Sequence, residues 1–377
     1  MRCRSSLALS LLLAAAGGAA CAAGALVDPQ AVLRGWLASL AFWIGLPLGA
    51  MMLLFAHDLT GGRWGAAAVP PLRAMVAALP LALLLLLPVL VWLPQIYPWA
   101  RPEEAAHLRN QFYLNTPFFL ARAATYAVVW LLLAWAALRR PGTGANPVAA
   151  PGLILLGLTG SFAAVDWMMS VEPDWGSSIY GMMIISGQLL GALALATLAA
   201  VLGGRPDGGR VDGGRVDPGQ RNDLGSLLIA AVLLWFYLSF MQFLIVWQEN
   251  LPQEITWYVR RLAGGWGWTA VLGALAQGAV PFLALVWWPV KRSRRGLAAV
   301  CALLLAAHLM ECWWLILPGL EGGFTWFAPA AALAMGGAGA AVFLRRLGRR
   351  GAGRAPARAA DGHVAAPAAL PDGARHG

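Results

Sequence analysis

The chain has 377 residues, 60% of them hydrophobic and only 12% charged, with a mean hydropathy of +0.67. A water-soluble domain needs far more polar surface, so the composition excludes a soluble enzyme and makes lipid the solvent for much of the chain. The net charge of +10 does not mark a nucleic-acid binder, because the basic residues sit in short stretches between apolar runs and in the last 33 residues.

A helix needs about 20 apolar residues to cross a bilayer. Such runs recur near 5–25, 34–56, 72–93, 117–138, 151–170, 177–202, 224–248, 265–288, 297–317 and 324–344. They lack the period-2 alternation of barrel strands, which predicts an all-α, polytopic membrane bundle of about ten helices. The first run is ambiguous. Arg2 and Arg4 precede an apolar stretch that ends in small residues around Ala19 to Ala23, as in a cleavable signal peptide. Lipoprotein-type cleavage before Cys21 fits less well, since Gly18 stands where a Leu is usual. Residues 1–25 are expected to stay as a first helix; cleavage would leave nine. Residues 26–346 then form the bundle. A repeated Asp-Gly-Gly-Arg-Val makes 203–221 a flexible linker, and 347–377, rich in Gly, Ala, Pro and Arg, reads as a disordered tail.

Charge predicts the orientation. With ten spans and the N-terminus in the cytoplasm, 21 of the 27 Lys and Arg residues fall on the cytoplasmic side and 5 outside, with Arg122 inside a span. That bias places both ends in the cytoplasm of a bacterial inner-membrane protein. Two outer segments, 94–116 and 249–264, are rich in aromatic and charged residues. They read either as an interfacial aromatic belt or as a docking surface for extracytoplasmic subunits.

Ionisable residues inside apolar runs cost on the order of 3 kcal/mol each, so each one present needs a reason. Asp166 lies one turn from the outer end of its run, with Glu172 and Asp174 following. Three clustered carboxylates suit proton handling; alternatively Asp166 pairs with Arg122 and ties two helices together. Tyr126 is one turn from Arg122 on the same face. His308 and Glu311 are three apart near mid-membrane, a spacing that makes them neighbours able to relay protons or to form a structural pair. His57 and Asp58 sit at the cytoplasmic end of the second run, either as a helix end meeting water or as a proton intake. Gln188 and Gln242 need partners across helices and can line a wet path with Ser239 and Tyr237. The candidate proton path is therefore Asp166, Glu172, Arg122, His308, Glu311, His57, Asp58 and Gln242.

Cofactor ligands are missing. The four cysteines, Cys3, Cys21, Cys301 and Cys312, form no CxxC, CxxCH or Cys/His cluster. No two histidines share a depth on facing helices, as a b-type haem requires. No catalytic residue, metal site or bound cofactor is expected in this chain.

Several segments carry a resemblance. They are Tyr113-Leu114-Asn115-Thr116-Pro117-Phe118-Phe119, Asp166-Trp167-Met168-Met169-Ser170-Val171-Glu172-Pro173 with Ile179-Tyr180-Gly181, Phe236-Tyr237-Leu238-Ser239-Phe240, Asn250-Leu251-Pro252-Gln253-Glu254-Ile255 and Gly264-Gly265-Trp266-Gly267-Trp268. In order and content this set resembles the ActF-type, NrfD-like membrane subunits of bacterial alternative complex III, over roughly residues 28–346. The resemblance implies a non-catalytic subunit of a quinol:cytochrome c (or oxidase) oxidoreductase that anchors the complex and conducts protons. It also implies haem c and iron–sulfur clusters in periplasmic partner subunits, and a second NrfD-like subunit that takes quinol. Asp174 departs from the pattern, which often has His there. Two other functions compete with this one. The chain can itself oxidise quinol, with Asp166 and His107 as outer bases, or it can be a secondary transporter, although no internal repeat supports that.

Overall fold

The computed structural model describes residues 2–106, 108, 110–139, 146–203 and 216–352. Among these the chain is helical with no strands, and ten helices are long and apolar enough to cross a membrane. Spans 1 to 10 are Ser5–Ala25, Pro29–Thr60, Gly65–Val91, Thr116–Arg139, Ala149–Val171, Tyr180–Leu202, Pro218–Glu249, Trp266–Val286, Arg294–Gly319 and Phe327–Gly348. This is a multi-pass membrane architecture.

Local chemistry sets the ends. Asp28 caps span 2 by accepting the Ala31 N–H at 2.9 Å, with Pro29 in the first turn, where its missing N–H costs nothing. Asp217 caps span 7 through the Gln220 N–H, and Ser293 caps span 9 through the Gly296 N–H. Span 7 ends at Asn250, whose φ of 51° is the left-handed stop that Asn tolerates. Span 3 breaks at Ala77 and Ala78, because Pro80 cannot donate to Val76 and its ring crowds that carbonyl.

Span 2 is the central element, packed against spans 3, 5, 6, 9 and 10, with most of its residues buried. Small residues bring the backbones close where lipid supplies no hydrophobic drive. A Cβ at Gly49 would lie 2.2 Å from the Gln188 carbonyl oxygen of span 6. Spans 1 and 10 run antiparallel, and a Cβ at Gly337 would meet the span 1 backbone at 2.4 Å. Both ends of the described chain therefore share one face of the bundle, the termini face. The opposite, loop face carries the short helices Leu93–Ile96, Pro102–Ala105 and Pro252–Leu262.

Three boundaries differ from the sequence reading. Pro218 to Arg221 of the expected linker are the first turn of span 7, because Pro and the Asp217 cap start a helix there. Residues 347–352 of the expected tail continue the last helix. The loop 249–264 is largely the helix Pro252–Leu262, held down by buried Trp257 and Arg261. The rest of the linker, 204–215, and the tail beyond 352 lie outside the described residues, as do His107 and Arg109.

Candidate functional site

The mid-membrane centre is built on span 9, where one helical turn sets His308 beside Glu311 with Nδ1 2.9 Å from Oε2. Two further spans complete it. Trp235 of span 7 donates its indole N–H to Glu311 Oε1, and Gln277 of span 8 donates its amide to Oε2, each at 2.6 Å. Gln277 reaches the carboxylate from a π-helical turn, Leu275–Ala279. There the Val280 N–H bonds to Leu275 O, five residues back, and Pro281 has no N–H to restore the ordinary ladder. Gly187 and Gly191 of span 6 leave room for the imidazole, since a Cβ at either would come within 2.8 Å of ring carbons.

Glu311 thus accepts three hydrogen bonds. With Glu311 ionised, the Nδ1 proton of His308 points at it, and in the neutral imidazole Nε2 is left with a lone pair. Nε2 is buried without a hydrogen-bond partner, and so is Gln188 Oε1. Both residues line a narrow cavity of about 10 Å³ with Met168 and Cys312, close to the space one water occupies. A second cavity of about 20 Å³ shares Gln188 and runs to Trp130 and Trp167. The Trp167 indole N–H is also buried without a partner. An imidazole backed by a carboxylate in this setting can take and release a proton.

Asp166 anchors a second centre nearer the loop face. Arg122 grips it with two bonds of 2.9 Å, from Nε to Oδ2 and from Nη2 to Oδ1, and the Tyr126 hydroxyl donates to Oδ2 at 2.8 Å. The third guanidinium nitrogen donates to Tyr113 O at 3.0 Å, and the guanidinium carbon lies 3.8 Å from the Tyr113 ring centroid. The carboxylate side chain is 1% exposed and the arginine 10%. Outside the spans, burial pushes the Tyr97 and Tyr113 phenols up, and the Asp166 charge pushes them further. Asp166 is a clamped ion pair here, the second of the two readings its sequence position left open. Glu172 has its own cations, supplied by the loop-face helix Pro252–Leu262.

Glu172 sits 2.9 Å from Arg260 Nη1 and 2.7 Å from Arg261 Nη2. The Arg260 contact is a hydrogen bond; the Arg261 contact is an ion pair without hydrogen-bond alignment, because Nη2 aims at Leu315 O, also at 2.7 Å. Arg261 is 2% exposed, and burial pushes its guanidinium down from the ordinary value while Glu172 opposes that shift. Trp175 and Trp257 stack at 4.7 Å beside it. The buried Tyr180 ring meets Trp175 edge-on at 5.6 Å. Glu172, Asp174, Arg260 and Glu321 edge an open bowl of about 920 Å³ on the loop face.

Gln242 is buried and accepts a hydrogen bond from Ser177. His57 and Asp58 lie at the termini face. His57 Nε2 is 3.3 Å from Gly62 O and its ring meets Trp64 edge-on, while Asp58 accepts from Asn146. These are helix-end contacts, and no described side chain links them to His308. Sequence reasoning named Asp166, Arg122, Tyr126, His308 and Glu311 but passed over Trp235, Gln277 and Arg261. Gln277 was findable as a polar residue in an apolar run. The roles of Trp235 and Arg261 depend on contacts between elements far apart in sequence. Among the described residues, no three His, Cys, Asp or Glu side chains converge as a metal site needs. No protein-family model matches this sequence, and no curated protein matches it either.

Proposed function

We propose that this chain is a membrane subunit of a respiratory quinol:electron-acceptor oxidoreductase of the alternative complex III type, without a redox group of its own. On this reading it sits in a bacterial inner membrane with both termini in the cytoplasm, anchors haem- and iron–sulfur-bearing partners on its loop face, and moves protons. The motif set and the 21-to-5 charge bias support the identity and orientation. The observation that carries the proton reading is the His308–Glu311 pair, buried mid-span, held by Trp235 and Gln277, with imidazole Nε2 unpartnered. Ionisable groups inside a membrane are costly, and where they occur they commonly mark an ion or proton pathway.

The route runs from His308 past Gln188 and Trp167 to the Asp166 clamp, through the two small cavities. Direct quinol oxidation at Asp166 is the weaker reading, since both carboxylate oxygens are already taken by Arg122 and Tyr126.

The test is affinity purification of the tagged chain from native membrane in mild detergent, with mass spectrometry and a redox difference spectrum. Haem and iron–sulfur partners are expected; recovery of the chain alone without a haem signal sinks the respiratory assignment. In the recovered complex, Glu311→Gln is expected to reduce protons moved per electron while leaving haem content intact. Unchanged proton coupling refutes the path.

A further inference from the structure

A groove of about 360 Å³ opens beside the core. Met75, Ala82 and Leu85 of span 3 form one wall, and Met335, Gly339 and Phe343 of span 10 form the other. Phe42 and Leu46 of span 2 and Leu305 and Leu309 of span 9 line its floor. Its lining is almost wholly hydrocarbon and is drawn from the middle of its spans, which suits a hydrocarbon chain as its occupant. Small residues shape it: a Cβ at Gly339 would find only Trp43, at 3.9 Å, so that side of the groove is open.

One end of the groove is chemically distinct. Met335, Gly339 and Phe343 follow one another at four-residue steps, and Arg346 continues the same stripe one turn on, about 4.5 Å further along the axis toward the termini face. Arg346 and its neighbour Arg345 are exposed, and neither pairs with a carboxylate among the described residues. An apolar slot that ends at an unpaired arginine at the headgroup level matches a molecule with a hydrocarbon chain and an anionic head.

We infer that this groove is a binding site for an anionic phospholipid of the leaflet on the termini face, with one acyl chain between spans 3 and 10 and the phosphate at Arg346. This rests on the groove and the stripe alone and is independent of the respiratory assignment.

The test is native mass spectrometry of the full-length chain, with whatever partners accompany it, after reconstitution in vesicles of phosphatidylethanolamine and phosphatidylglycerol. One retained phospholipid per chain, enriched in phosphatidylglycerol, is expected. Gly339→Phe fills the slot and replaces a helix-interior glycine, so it is expected to fold and to lose at least tenfold of the retained lipid. Arg346→Gln is expected to keep the lipid and lose the phosphatidylglycerol enrichment. Undiminished phospholipid in Gly339→Phe, or recovery of a phosphate-free isoprenoid in its place, overturns the inference. If Gly339→Phe does not accumulate, unchanged enrichment in Arg346→Gln overturns it by itself.

Discussion

The Arg122–Asp166 clamp makes a quantitative prediction. Asp166→Leu removes two guanidinium bonds and the Tyr126 bond, and leaves a nearly buried arginine with only Tyr113 O and its ring neighbours. Arg122→Met strands the carboxylate with Tyr126 alone. Breaking one side of a buried pair costs about 3–5 kcal/mol, because the surviving charge stays buried without its partner. The double variant removes both charges together, and apolar replacements of buried pairs are often close to neutral. It is therefore expected to be more stable than either single variant, with a coupling of roughly 3 kcal/mol between the sites. Equilibrium unfolding in mixed micelles, followed by tryptophan fluorescence, measures all four corners of the cycle. Single-variant losses below about 1 kcal/mol, or additive losses, would refute the view that this pair holds spans 4 and 5 together.

Three further outcomes follow from particular contacts. Tyr97, Tyr113 and Tyr258 are pushed above the ordinary phenol value by burial; each acid is held neutral when folded, so its contribution to stability is complete below about pH 10 and is lost as pH rises beyond that. Ultraviolet difference absorption is expected to show these three phenols silent near pH 11, and full titration of all six tyrosines in the folded protein would contradict their burial. Gly49→Val is expected to separate spans 2 and 6, since its Cβ would strike the Gln188 carbonyl at 2.2 Å; a loss of about 2 kcal/mol or more in the same unfolding assay is expected, and an unchanged midpoint would count against the close approach. Cys301 and Cys312 are free, buried thiols. They are expected to resist an alkylating reagent until denaturant is added, and rapid labelling of the native protein would contradict their place in the core.

The existence, number and approximate limits of the ten membrane helices were legible in the sequence. Bilayer thickness and backbone hydrogen bonding leave a 20-residue apolar run little choice but to be a helix. The i, i+3 pairing of His308 with Glu311 was legible for the same reason, because helix geometry alone makes them neighbours. The sequence also offered Arg122 as a partner for Asp166, as one of two open readings. What it left undecided was how spans far apart in the chain meet. Only the tertiary structure put Glu172 with Arg260 and Arg261, since that depends on where the helix Pro252–Leu262 lies. Only it brought Trp235 and the π-turn residue Gln277 onto Glu311, from helices 76 and 34 residues away in sequence. In lipid, apolar side chains gain little by facing one another rather than the acyl chains, so hydrophobic pattern carries almost no record of which helix faces which. That record lies in the glycines that let backbones close and in the few polar groups that must find one another. Both are properties of pairs of helices, so they become readable only once the helices are packed.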